Sequence, residues 1–211
     1  MDAEFWHGKW AKKEIGFHEG KPNRLLAAHV GRLGLAPGAR VFLPLCGKTA
    51  DVGWLMKQGY RVAGIELSST AIADLFVDLG LTPRVSKAGL LTRYQQDGVD
   101  ILCGDIFDLD ASTLGPVDAI YDRAALVALP AGTRSRYASH LYQIASGAPQ
   151  LLIAFDYDQT AMDGPPFSVP ENAVRTLYGD AYGIQRIVST PVPGGLKGTV
   201  DAREEAFLLR A

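Results

Sequence analysis

Residues 40–66 read RVFLPLCGKTADVGWLMKQGYRVAGIE, and the succession of residue types in them decides the fold. Val41–Leu45 is an apolar run of strand length, and the chain turns after it at Cys46-Gly47. Thr49 is placed to cap a helix, Gly59 to end it, and Arg61–Ile65 to form a second strand that delivers a carboxylate, Glu66. A strand–helix–strand crossover is right-handed and builds a parallel sheet. In a doubly wound sheet, ligands sit outside the carboxyl ends of the strands, where the Gly47 turn and Glu66 meet. An acid about twenty residues beyond a glycine turn is spaced to hold a ribose diol. The stretch therefore reads as half of a nucleoside pocket.

The same turn argues against phosphate. A dinucleotide fingerprint needs three glycines, and only Gly47 is present. Gly47-Lys48-Thr49 ends like a phosphate-binding loop, but that motif needs glycine at position 42, which is Phe42. Few backbone N–H groups are open to a pyrophosphate. A nucleoside without phosphates, such as S-adenosylmethionine, suits the turn better. A strand–turn–helix that binds nothing is the alternative for this stretch alone.

Five strings carry a family likeness: FWHGKWAKKEIGFHEG from Phe5, VFLPLCGKTADVGWL from Val41, GIELS from Gly64, DRAALVALP from Asp122 and DGPPFSVP from Asp163. Together and in this order they resemble the bacterial thiopurine S-methyltransferases. The resemblance covers Phe5 to about Pro191. It implies a class I S-adenosylmethionine-dependent methyltransferase fold. That fold is a doubly wound, mostly parallel seven-stranded sheet, here in one domain of residues 1–211 with residues 1–24 as a helical flap over the cofactor. It also implies methyl transfer to the sulfur of aromatic or heterocyclic thiols, with S-adenosylhomocysteine as product. Selenium or tellurium oxyanions are further acceptors in the same expectation.

Composition sets the surrounding bounds. The chain has 211 residues, 47% hydrophobic and 21% charged, enough for the core of one domain. A formal charge of −2 offers nucleic acid no basic landing surface. Cys46 and Cys103 each lie near a strand end and suggest neither a disulfide framework nor a zinc site. The start, MDAEFWHGKW, lacks a basic-then-apolar leader pattern, and no apolar run approaches the ~20 residues of a membrane span. A cytoplasmic monomer acting on a small molecule is expected.

In chain order, Asp2–Lys13 forms a helix with Trp6 and Trp10 one turn apart. Aromatics at that spacing are often core. The resemblance instead assigns Trp10 to the cofactor and Phe17 to the substrate, and an aromatic face beside a sulfonium is favourable by ~0.5–2 kcal/mol. His18 receives no role. Asn23 starts a second helix that buries Leu26, Val30 and Leu33. Ser68 or Ser69 caps the next, which Gly80 stops. Thr82–Gly98 breaks the alternation and reads as a small hairpin or extra helix at the sheet edge.

Val99–Cys103 is the third strand, followed by Asp105-Ile106. The family places this pair at the adenine, with a polar group for its amino edge and an apolar one over the ring; the alternative is a capped turn. Val117–Tyr121 is the fourth strand, delivering Asp122 and Arg123 to the same crevice. A guanidinium there can bind an anionic or thione group by parallel hydrogen bonds. The resemblance associates Arg123 with both cofactor and acceptor; its structural alternative is a partner for Asp122 or Asp105. Leu151–Phe155 is the fifth strand, and Asp163–Phe167 reads as the rim of the acceptor pocket. Pro170 at the first helical position leads a helix to Tyr178, and Ile184–Thr190 and Ala206–Leu209 close the sheet as an antiparallel pair. Arg203 corresponds only roughly to a second substrate arginine of the family.

The expected site is thus Trp10, Leu45, Gly47, Glu66, Asp105, Ile106 and Arg123 for the cofactor, Phe17 and Arg123 for the acceptor, and no metal. Three other readings stay open. One is a metal-assisted O-methyltransferase using Asp122 and Asp156; another is a nucleoside-binding module without turnover; the third is a nicotinamide dehydrogenase.

Overall fold

A computed structural model describes residues 3–12, 14 and 19–211. Phe17 and His18 lie outside the described residues. Helix α1 (Ala3–Ala11) leads to α2 (Arg24–His29), which continues as a 3-10 turn through Leu33. Asn23 caps α2, its side-chain oxygen accepting from the N–H groups of Leu25 and Leu26, and Gly34 ends the turn in the left-handed region.

The organising unit forms as its residues dictate. Strand β1 (Arg40–Leu43) pairs in parallel with β2 (Arg61–Glu66), and α3 (Ala50–Lys57) between them is capped by the Thr49 side chain. Ser68 caps α4 (Ser69–Leu79) by accepting from Ala71 N–H, and Gly80 terminates it with φ of 67°. Strand β2 then pairs in parallel with the third strand of the alternation, setting Glu66 opposite Cys103.

Between them lies the hairpin that is one of the two readings of residues 82–98, and it raises the strand count. Residues 82–98 form a hairpin, β3 (Arg84–Ala88) and β4 (Leu91–Gln96), and β4 pairs antiparallel with β5 (Val99–Cys103). The sheet therefore has nine strands, in the order β3-β4-β5-β2-β1-β6-β7-β9-β8, where seven were expected. RVSKA and LTRYQQ are polar because they lie at an edge and bury little, so they lack the apolar signal of the central strands. Leu91 is their main buried anchor, and a side chain at Gly104 would overlap it.

Short helix α5 (Ala111–Leu114) leads to β6 (Ala119–Arg123), which pairs with the opposite edge of β1. Strand β6 sits two residues later than the sequence suggests, so Asp122 and Arg123 are its last residues. Helix α6 (Ala131–Ile144), β7 (Gln150–Tyr157) and α7 (Glu171–Tyr178) follow. Pro170 occupies the capping position of α7, one place earlier than expected. The antiparallel pair is β8 (Gly183–Pro191) and β9 (Ala202–Arg210), with β9 inserted beside β7.

Helices α2, α3 and α4 cover one face around Leu26, Leu55, Ile72 and Phe76. Helices α5, α6 and α7 cover the other around Leu114, Tyr137, Leu141 and Val174. A sheet enclosed on both faces accounts for the continuous apolar runs of β1, β6 and β7. The strand order reverses at β1, whose neighbours are β2 and β6. The crevice that such a reversal opens lies beyond their carboxyl ends, at Leu45, Glu66 and Arg123. No helix among the described residues is long and apolar enough to cross a membrane.

Candidate active site

Three strand ends build the crevice. After β1 the backbone bends through Leu45, at φ of 46°, to Gly47, at φ of 52°. After β6 it bends again at Ala124, with φ of 62°. Leucine and alanine in the left-handed region each cost of order 1 kcal/mol, and such strain concentrates where a fold shapes a site. Both bends flank the same crevice.

Glu66 closes its inner end. The side chain is buried, with one carboxylate oxygen accepting from Gly47 N–H at 2.8 Å and the other from Ser68 N–H at 2.8 Å. Burial pushes its pKa above the usual carboxylate range, while the N–H groups of Ser68, Gly47 and Leu67 pull it back. A carboxylate has about four lone-pair positions, and the Gly47 and Ser68 N–H groups take one on each oxygen.

Trp10 lies over the first turn. It is buried, and its indole ring sits so close to Gly47 that a Cβ there would come within 3.0 Å of the ring. Helix α1 thus rests its tryptophan on the turn that Glu66 fixes. Trp6 is only half-buried and stacks edge-on with Phe5.

Along the third strand the local turn dominates. Asp105 accepts from Phe107 N–H at 3.0 Å, Ile106 is fully buried in the core, and the Ile106 carbonyl meets His140 Nε2 at 2.8 Å. Asp105 thus serves as the cap of the turn, whereas Ile106 packs into the core.

Arg123 stands across from Glu66. Its Nη2 donates to Glu19 Oε1 at 2.5 Å, a partner the sequence reading does not consider beside Asp122 and Asp105. Sequence gives no hint of this pair, because 104 residues separate its members and both types are common. Asp122 points to the other face, where it accepts from Leu126 N–H at 3.1 Å and from the Tyr137 hydroxyl at 2.8 Å. Buried Asp51 anchors the neighbouring corner, accepting from Asn23 N–H at 2.7 Å and from the Tyr121 hydroxyl at 3.0 Å.

The loop after β7 is braced from several sides. Phe167 N–H donates to the Val127 carbonyl at 2.7 Å, and the Tyr157 hydroxyl to the Pro166 carbonyl at 2.7 Å. Buried Arg134 donates to the carbonyls of Leu129 and Ser168 and lies 5.6 Å from the Phe167 ring centre. Lys197 donates to the Pro165 carbonyl at 2.9 Å. Arg134 and Lys197 are supports that sequence reading missed, since the loop carbonyls they hold, Ser168 and Pro165, lie more than thirty residues away along the chain. Arg203 is held along the edge strand by the Ser189 hydroxyl and carbonyl, both at 2.7 Å.

The family model described as thiopurine S-methyltransferase matches residues 1–202. The chain belongs to the thiopurine S-methyltransferase family. It is 56% identical over 210 residues to the thiopurine S-methyltransferase of Xanthobacter autotrophicus, covering 99% of each chain. With the protein of that name from Teredinibacter turnerae it is 49% identical, over 99% of this chain and 97% of the relative. Among solved structures, magnesium protoporphyrin IX methyltransferase from Synechocystis with bound S-adenosylhomocysteine superposes with a TM-score of 0.66 at 16% identity, over all of both chains. Burkholderia thailandensis 1,6-didemethyltoxoflavin-N1-methyltransferase gives 0.67 at 15% identity, over 99% of this chain and 87% of that one. These distant likenesses speak for the class I fold.

Family membership makes the chain an S-adenosylmethionine-dependent methyltransferase. Its residues fit that cofactor. Glu66 has carboxylate lone pairs beyond those that the Gly47 and Ser68 N–H groups occupy, and the absence of a side chain at Gly47 lets the Trp10 ring pack on the turn. The thiopurine S-methyltransferase assignment displaces both the nicotinamide reading and the binding module without turnover. The metal-assisted O-methyl reading loses its main ligand, since both oxygens of Asp122 are engaged away from the crevice.

Asp122 nevertheless marks the enzyme's response to pH. Burial raises its pKa from 3.8 to about 6, against the pull of Leu126 N–H and the Tyr137 hydroxyl. The folded state thus holds a proton that the unfolded chain has already released. The associated stability is complete below pH 3.8 and is lost as pH rises through about 6, a total of about 3 kcal/mol. Asp122→Asn mimics the protonated group. The variant is expected to gain stability over the parent at pH 8, with the difference narrowing below about pH 6 and closing only below pH 3.8, as read by urea unfolding.

Proposed function

We propose that this methyltransferase acts on the sulfur of aromatic or heterocyclic thiols. Glu66 holds the ribose of the donor, while Leu45, Gly47 and Trp10 enclose its amino-acid end. Asp105 meets the adenine edge, and Ile106 supports that wall from within the core. Arg123 and Phe17 orient the acceptor. When bound, S-adenosylmethionine supplies an electrophilic methyl group on a positively charged sulfur.

The observation that carries this reading is Arg123, a largely enclosed guanidinium at the end of β6 across the crevice from Glu66. Its Nη2 is engaged by Glu19, and the planar fork of a guanidinium suits an anion on the acceptor side. Aromatic thiols are substantially ionised near neutral pH, so the protein needs no strong base. Its contribution is alignment and exclusion of water, and alignment alone can supply ~7–11 kcal/mol of barrier reduction. The braced loop at Pro165–Phe167 and the N-terminal helix would form the walls. The setting is a cytoplasmic, monomeric enzyme, which suits two cysteines that stay unpaired.

Labelled donor offered with matched thiol, phenol and amine acceptors, followed by mass analysis of the products, tests the assignment. Methyl transfer to sulfur that survives a chelator is the expected result. Preferential methylation of oxygen or nitrogen would refute it. Selenite and tellurite belong in the same panel, because Arg123 would attract those anions too.

A further inference from the structure

The Arg123–Glu19 pair joins an enclosed cation to an open anion. The Arg123 side chain is 13% exposed and that of Glu19 is 42% exposed, with 2.5 Å between Nη2 and Oε1. Breaking the pair therefore asks little of Glu19, which can turn to water, and much of Arg123, which has less access to solvent. An incoming anion could satisfy the guanidinium in its place.

The geometry couples that exchange to the N-terminal segment. Glu19 lies between α1, which rests Trp10 on Gly47, and Asn23, which is tied to Asp51 and through it to Tyr121. Tyr121 and Arg123 share strand β6. Residues 19 to 23 are thus pinned to β6 at one end, with the Glu19 carboxylate reaching the same strand two residues further on.

We propose that Glu19 is a displaceable stand-in for the acceptor's negative charge and so a determinant of acceptor specificity. It neutralises Arg123 in the empty enzyme and yields to an anionic group carried by the acceptor, remote from the reacting sulfur. The acceptors favoured by this exchange are aromatic thiols bearing a ring carboxylate or comparable anion. The proposal rests on the reading that Arg123 faces the acceptor.

The test compares 4-mercaptobenzoate with 4-methylbenzenethiol, each as acceptor for the full chain, its E19Q and E19D variants and R123Q. Removing the competing charge should raise kcat/KM for the carboxylated thiol relative to the uncharged one by roughly three- to fivefold in E19Q, the scale of a partly exposed ion pair. E19D, which keeps the charge, should stay near the parent ratio, and the E19Q gain should shrink as salt is raised. An unchanged or lowered ratio in E19Q overturns the proposal. R123Q separates the two levels. If R123Q raises KM for the carboxylated thiol while E19Q leaves the ratio alone, only the role of Glu19 fails. Should R123Q leave both acceptors unaffected, Arg123 does not face the acceptor and both ideas fail. E19A serves as a second neutral variant should E19Q fold poorly.

Discussion

Replacing Glu66 with alanine is expected to weaken binding of S-adenosylhomocysteine by about a hundredfold or more. Two ribose hydroxyls donating to a buried carboxylate make charge-assisted hydrogen bonds of about 1.5–3 kcal/mol each, so losing both gives that scale. Glu66 also holds the Gly47 and Ser68 N–H groups, so alanine would loosen the turn beneath the cofactor as well. Gln is the sharper variant. It keeps one acceptor for the backbone but loses the charge, and its affinity should fall between the parent and alanine. The parent's own pH dependence adds a further test. Burial raises the Glu66 pKa, so cofactor affinity should begin to fall at a higher pH than an ordinary glutamate would give. The Gln variant should lack that fall. Calorimetric titration across pH 4–8, in steps of about half a unit, reads both effects.

Asp51→Ala is expected to produce the largest loss of stability. One carboxylate oxygen serves the first residue of the α2 cap and the other serves the Tyr121 hydroxyl, all within buried surroundings. Alanine leaves two buried donors without partners at about 1–3 kcal/mol each, for a total of roughly 3 kcal/mol. In a chain of this length that corresponds to a fall in Tm of about 6–12 °C. Asp51→Asn keeps an acceptor for one donor and should recover part of the loss. Because Asn23 anchors the segment bearing Glu19, Asp51→Ala should also raise acceptor KM at temperatures where the enzyme remains folded. A loss of stability below 1 kcal/mol would mean that the corner is not a structural joint.

The central unit was legible because each of its signals was local. Thr49, Gly59, Ser68 and Gly80 cap or end helices where their chemistry places them, and the apolar runs of β1, β2 and β5 match strands enclosed on both faces. Glu66 and Gly47, nineteen residues apart, meet through a hydrogen bond that their spacing foreshadows. The hairpin was legible only as an alternative to an extra helix, because RVSKA and LTRYQQ are polar and only LTRYQQ pairs with the central strands, through β5. Partners across the crevice were beyond reach. Nothing near Arg123 in the sequence singles out Glu19, and Asp122, its neighbour, turns to the opposite face simply because side chains alternate along a strand. The same reason removes Asp122 from any metal site in the crevice.

The central claim is that a carboxylate at the end of β2 and the bend after β1 together grip the sugar of the methyl donor. A crystal structure with S-adenosylhomocysteine bound tests it most directly. The account predicts both ribose hydroxyls within hydrogen-bonding distance of the Glu66 carboxylate and the Trp10 ring against the ligand's amino-acid end. A ligand whose ribose lies elsewhere, with Glu66 still bonded to the backbone alone, would contradict it.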